Sequence, residues 1–153
     1  MHFWDKAAVF FATGCYVGKI PVAPGTAGTA AGLPLAYLVS LAPVPHAFFF
    51  IILFTGMAVL GAHYAEAALG KKDPGEIVID EIAGIVITFV GLTMNARTLA
   101  IGFVLFRVLD IFKPFPIRWI DRRIPGGGGV VLDDVIAGIY ANLILRVINQ
   151  WIL

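Results

Sequence analysis

The sequence predicts an all-α fold: a compact helical membrane protein with several transmembrane or half-depth helices and polar loops gathered on the cytoplasmic side. Of its 153 residues, 59% are apolar and only 14% charged, with a mean hydropathy of +0.91; an ordinary soluble domain carries about 25% charged residues. No Asp, Glu, Lys or Arg falls between Lys19 and Glu66, which leaves room for two runs of the roughly 20 apolar residues that a bilayer requires. Clusters of Gly and Pro then cut the apolar stretches into helix-sized pieces. The length suggests one domain, residues 1–153.

A first, aromatic segment from Phe3 to Tyr16 suits an interfacial or packed helix and ends at the breaker-rich stretch Gly18 to Gly25, which holds Pro21 and Pro24. It lacks the charged start and cleavage pattern of a signal peptide, so it reads as mature chain. A second helix, Gly28 to Leu41, is followed by the turn Ala42-Pro43-Val44-Pro45 and a long apolar helix from His46 to Leu69. The short turn predicts that these two form a helical hairpin. The loop Gly70 to Gly75 is polar, with turn chemistry throughout. Ile82 to Leu92 measures only about 16 Å at 1.5 Å per residue, and Leu99 to Phe112 is little longer, so both read as half-depth or packed helices with Asn95 at the bend between them. Lys113-Pro114-Phe115-Pro116 stops the second of these, the basic stretch Arg118 to Arg123 follows, and Gly126 to Gly129 reads as a flexible loop before a last helix from about Asp133 to Trp151.

Hairpin topology puts Lys19, Lys71, Lys72, Lys113, Arg118, Arg122 and Arg123 on one side, against Arg97 on the other, which marks the first as the cytoplasmic face. The acids Asp80, Glu81, Asp110, Asp133 and Asp134 belong to that same side, each beside an apolar run. A carboxylate in such surroundings is costly unless it meets a cation, so the pattern points to a shared divalent metal. The formal net charge of +1 and the lack of a basic, aromatic-interleaved stripe give no sign of nucleic-acid binding. Oligomeric state cannot be read from the chain.

Three segments carry the candidate chemistry. A cap of the helix that begins at Ile82, by Asp80 or a nearby residue, explains one carboxylate, but Asp80 and Glu81 point about 100° apart on a helix and can both reach inward, which points to metal or substrate chemistry. Arg107, Asp110 and Lys113, spaced by three, form a cation-anion-cation ladder along one side of a helix. It solvates a helix end or, with its surplus positive charge, grips a phosphate. Asp133 and Asp134 after the glycine loop suit Mg²⁺, which takes one or two carboxylates plus water and phosphate oxygens; the alternative is an Asp-rich helix start. Ala137, Gly138 and Ala141 allow close helix packing. Gly25 to Thr29 offers the same close approach, or N–H groups and the Thr26 and Thr29 hydroxyls for phosphate.

Absences narrow the chemistry further. His2, His46 and His63 lie outside the acidic segments, which disfavours a phosphohistidine or a His-rich zinc site. Cys15 is the single cysteine and has Pro21 where a cysteine phosphatase loop needs arginine, so it reads as a buried structural thiol. No Asp-x-Asp-x-Thr segment is present.

Four stretches in order, Gly25-Thr26-Ala27-Gly28-Thr29, Ile77 to Gly84, Phe106 to Ile117, and Gly126 to Gly129 running through Asp133-Asp134 to Gly138, resemble the motifs of the bacterial phosphatidylglycerophosphatase A family. The resemblance runs from about Gly18 to Leu145, departing at Val131, where many members carry methionine, and in the short tail after Trp151. It implies Mg²⁺-dependent removal of the terminal phosphate from phosphatidylglycerophosphate, an anionic phospholipid, at the cytoplasmic face of the bacterial inner membrane. Within that frame Asp80, Glu81, Asp133 and Asp134 are expected to hold Mg²⁺, with Asp110 a further ligand or the base that orients an attacking water. Arg107 and Lys113 are expected on phosphate oxygens, with Thr26, Thr29 and Arg118 as further phosphate contacts, and Arg118, Arg122 and Arg123 attract an anionic lipid surface. Direct attack by water and a transient aspartyl-phosphate both remain open. An ion or proton transporter, which would carry its acids at mid-membrane depth, and a metal-dependent lipid-head-group transferase, which would show a longer aspartate ladder, are the alternatives.

Overall fold

The computed structural model describes residues 2–151. It is built of helices throughout: α1 (Phe3–Ala12), a 3-10 turn (Val17–Lys19), α2 (Pro24–Ser40), α3 (Val44–Leu69), α4 (Ile79–Thr88), α5 (Ala96–Phe112), α6 (Ile117–Arg123) and α7 (Gly127–Trp151). No strand occurs among the described residues. The all-α part of the predicted fold class is thus the observed one, with differences at the helix ends that have local causes.

Helix α1 stops four residues before the expected Tyr16 because Gly14, Cys15 and Tyr16 all take positive φ (56°, 57° and 69°), a conformation no α-helix continues, and this turn leaves Cys15, expected to be buried, exposed. The buried Thr13 stabilises this exit by accepting a hydrogen bond from the Tyr16 N–H at 3.1 Å. Val78 N–H then donates to the Ala12 carbonyl at 2.9 Å, tying the entry of α4 to the end of α1. Helix α2 starts a turn earlier than expected because Pro24 occupies its first position, where a missing N–H costs nothing. Helix α3 likewise takes its prolines at the start and closes on Gly70 at φ 63°. Asn95 caps α5, its side chain accepting from the N–H groups of Arg97 and Thr98 at 2.9 and 3.0 Å.

The predicted hairpin of α2 and α3 does not form as a packed pair. Helix α2 lies along α4, and α3 packs against α1 and α7. The reason is α4, whose residues Ile82 to Thr88 are all buried. A helix apolar on every side takes the middle position, and α2, α3, α5 and α7 are arranged around it. Gly28 and Gly32 on α2 make this possible: a Cβ on Gly28 would lie 2.5 Å from Val78, and one on Gly32 would lie 2.5 Å from Ile85.

The four-glycine stretch also differs from expectation, since Gly127, Gly128 and Gly129 form the first turn of α7 rather than a flexible loop. Gly127 is pressed against α3, where a Cβ would come within 2.5 Å of the His63 nitrogen. Tight packing replaces the backbone freedom that glycine has in isolation. On the outside, α3 exposes Phe48, Phe49, Ile52, Leu53, Met57 and Leu60. It is the one helix among the described residues that is long and apolar enough to cross a membrane.

Candidate metal and phosphate site

Asp80 and Glu81 sit in the first turn of α4, and Asp134 in the second turn of α7. What brings them together lies one turn further on, at Gly84 and Gly138, each four residues after an aspartate. A Cβ on Gly138 would stand 2.4 Å from the Gly84 carbonyl oxygen, and one on Gly84 would stand 2.8 Å from the Asp134 carbonyl oxygen. The two backbones therefore touch, and the side chains one turn earlier converge. One carboxylate oxygen from each of Asp80, Glu81 and Asp134 lies within 4.8 Å of the others.

This cluster is short of partners. Asp80 Oδ1, Glu81 Oε2 and Asp134 Oδ2 are buried and accept no hydrogen bond among the described residues. Burial, followed by the neighbouring carboxylates, pushes the carboxyls of Asp80 and Asp134 well above their ordinary range. Three converging carboxylates with unused oxygens are the donor set that a hard divalent cation takes, so the residues present fit a Mg²⁺ ion.

Cations border the cluster without filling it. Arg107 pairs with Asp110 one turn along α5, lies 3.9 Å from Glu81 and donates to the Thr29 hydroxyl at 3.5 Å. Thr29 in turn donates to the Gly25 carbonyl at 2.8 Å. Gly25 leaves room here for both side chains, since a Cβ would lie 2.3 Å from Glu81 Oε1 and 3.3 Å from Arg107 Nη2 and would displace them. The Arg107 Nε is buried and keeps its donor capacity free among the described residues.

Asp133, expected beside the other three acids, faces elsewhere. Its carboxylate pairs with Lys113, while its Oδ1 accepts from the Asp134 N–H at 3.0 Å. Adjacent helical residues diverge by about 100°. Glu81 bridges that angle with its longer side chain, whereas Asp133 is too short to do so. The ladder expected on α5 is also broken: Lys113 leaves the helix at φ 45° and carries its ammonium to Asp133 and, at 3.5 Å, to Asp121. Burial opposes its charge, but Asp133 holds the ammonium in its protonated form. Thr26 is exposed in the first turn of α2, and Arg118 is exposed on α6, donating to the Phe112 carbonyl at 2.9 Å. Neither is brought to the three acids.

A family model described as phosphatidylglycerophosphatase A matches residues 10–149. The chain belongs to the phosphatidylglycerophosphatase A family. It is 38% identical over 148 residues to the phosphatidylglycerophosphatase A of Escherichia coli, an alignment covering 96% of this chain and 84% of the relative. It is 37% identical to that of Haemophilus influenzae, covering 93% of this chain and 88% of the relative. A Bacteroides thetaiotaomicron protein whose name assigns it provisionally as a phosphatidylinositol-3-phosphatase is 34% identical, covering 95% of this chain and 94% of the relative. No solved structure matches the chain.

In this member of the phosphatidylglycerophosphatase A family, two residues, Asn142 and Arg146, support the site in roles that the sequence alone did not assign. The Asn142 side-chain amide donates to the carbonyls of Thr88 and Val90 at 2.9 and 3.0 Å, and Arg146 donates to Val90 at 2.7 Å and to Asn142 at 2.8 Å. Together they satisfy the open carbonyl end of α4 and hold it against α7. The available signal was Asn142 four residues after Gly138 and Arg146 four after that, a polar stripe on one face of an apolar helix.

Proposed function

We propose that this protein is a Mg²⁺-dependent lipid phosphatase that removes the terminal phosphate of phosphatidylglycerophosphate, yielding phosphatidylglycerol and inorganic phosphate. The observation that carries this reading is the convergence of three unpartnered carboxylate oxygens, from Asp80, Glu81 and Asp134, within a family of that activity. These three residues would hold the metal. Bound there, Mg²⁺ supplies Lewis-acid polarisation of the phosphoryl group and a positioned water.

The chain's own residues account for the rest. Arg107 faces the cluster across Glu81 and offers a guanidinium fork to the phosphoryl oxygens, on which charge accumulates in phosphoryl transfer. Asp110 and Thr29 orient that fork. Asp110, paired with Arg107 and outside the metal-holding set, is the carboxylate left to orient the attacking water and take its proton. Asp133 and Lys113 neutralise one another beside the cluster and keep the first turns of α7 fixed against the end of α5. The apolar exterior of α3 supports insertion in the bilayer, and the cations at the acidic end support a cytoplasmic site.

The deciding experiment measures phosphate release by the purified protein from phosphatidylglycerophosphate in neutral detergent micelles, with Mg²⁺ and with chelator. Release that requires Mg²⁺ is expected. Absence of release with Mg²⁺ present overturns the reading, and faster release from phosphatidylinositol 3-phosphate would reassign the head group.

A further inference from the structure

A second concave site lies between the end of α5 and helix α6. Its cavity of about 550 Å³ is lined by Lys113, Arg118, Arg122 and Arg123 together with the aromatic rings of Phe115 and Trp119. Arg118, Arg122 and Arg123 form no ion pair with a carboxylate among the described residues. Arg118 is held by the Phe112 carbonyl, and the Arg123 guanidinium stands 5.6 Å from the Trp119 ring centre. The cavity is thus a positively charged cup with an apolar rim, and Phe115 on that rim is 80% exposed.

Its position gives the charge a meaning. Lys113 belongs to the cavity wall, yet its ammonium pairs with Asp133, the neighbour of Asp134. One ion pair therefore links the wall of the basic cup to the turn of α7 that carries Asp134. The lipid assigned above carries two phosphates, a terminal phosphomonoester and an inner phosphodiester, joined through a three-carbon glycerol. A lipid held by its terminal phosphate at the three acids has a second anion one short linker away, followed by its apolar chains. The cup presents arginine for the anion and exposed aromatic surface for the start of the chains.

We propose that the α5–α6 cavity binds the inner phosphodiester of the substrate, through Arg118, Arg122 and Arg123, and so selects lipids carrying two phosphates over those carrying one. This inference rests on the phosphatase reading of the acidic cluster. Phosphatidic acid has its single phosphate directly on the diacylglycerol, so when that phosphate reaches the acids nothing fills the cup.

The test uses the full chain in neutral detergent micelles, which removes attraction to a charged surface. Initial rates on phosphatidylglycerophosphate and phosphatidic acid are compared for the wild type, Arg122→Gln, and the triple variant Arg118→Gln/Arg122→Gln/Arg123→Gln. The expected result is a rise of at least tenfold in KM for phosphatidylglycerophosphate in the triple variant, larger than any fall in kcat. The preference over phosphatidic acid should shrink by a similar factor, with Arg122→Gln changed in the same direction. An equal loss on both lipids, or no change, overturns the proposal. A second measurement is independent of turnover: phosphatidylglycerol keeps the phosphodiester, so titrating it in Mg²⁺-free micelles should change tryptophan emission saturably. The change should disappear in Trp119→Phe and in the triple variant. A wild type that does not respond, a triple variant that still does, or an equal response to inorganic phosphate rejects the cavity as the phosphodiester site. If the wild type releases no phosphate from either lipid, the phosphatase reading fails by itself, and the titration still decides what the cavity binds.

Discussion

Asp80 and Asp134 enclose unused oxygens in a buried space, and their response to pH follows from that. A carboxyl raised in the folded state binds its proton more tightly folded than unfolded, so stability falls as pH climbs from the ordinary carboxylate range through the raised one. In chelator, the thermal midpoint should therefore drop as pH rises above the ordinary carboxylate range. Because the metal competes with the protons, added Mg²⁺ should raise the midpoint more at the higher pH. A midpoint that ignores both pH and Mg²⁺ would contradict the assigned cluster. Neutralising the acids separates chemistry from folding. Asp80→Asn, Glu81→Gln and Asp134→Asn should each lower phosphate release by on the order of a hundredfold or more, with metal-free stability kept or increased because like charges are removed. Arg107→Lys should also lose most activity, since a point charge cannot reproduce the planar fork. If that variant instead loses stability and keeps its turnover, Arg107 serves only its ion pair.

Between elements, the contact that matters most is the crossing of α4 and α7 at Gly84 and Gly138. Small residues let helix backbones approach closely, and here the approach sets the separation of the acids one turn away. Gly138→Ala should force the helices apart, costing about 1–3 kcal/mol. It should also abolish the Mg²⁺-dependent rise in thermal midpoint, even where the fold survives. Gly56→Ala is the control: nothing lies within 4 Å of its added Cβ on α3, so it should be neutral or slightly stabilising through helix propensity and leave the Mg²⁺ response intact. An unchanged Mg²⁺ response in Gly138→Ala would show that the crossing does not position the acids.

For the molecule as a whole, the two ends of α3 are chemically unlike. Near its C-terminal end, Glu66 accepts from the Asp73 N–H at 2.7 Å, and Gly126 lies beside His63 and Glu66, so the 70–75 loop and the start of α7 share one end with the acids. At the other end, Val44 lies beside Gly91 and Arg146. In a Cys15→Ser background, cysteines at Gly75 and Pro125 should react with an impermeant thiol reagent only from the cytoplasmic side, and cysteines at Pro43 and Arg97 only from the opposite side. Labelling of Gly75 and Pro125 from opposite sides would separate the acidic segments across the bilayer and favour a transporter.

The helical class, the oily composition, the acid-bearing segments and the order of the family motifs were all legible in the chain, because hydropathy, breakers and capping residues act over a few neighbouring positions. Even the error at the glycines was local in origin, since Gly126 to Gly129 reads as a loop until α3 is placed against it. Relations between helices were not legible. Asp133 and Asp134 look equivalent in the sequence, yet only Asp134 joins Asp80 and Glu81, while Asp133 turns to Lys113. Helix α2 looks like the partner of α3, yet it lies on α4. Asn142 looks like one polar residue in an apolar helix, yet it closes the end of α4 from 54 residues away. Which face of one helix meets which face of another depends on where their backbones cross. Here Gly84 and Gly138 set that crossing, and only the assembled structure brings them together.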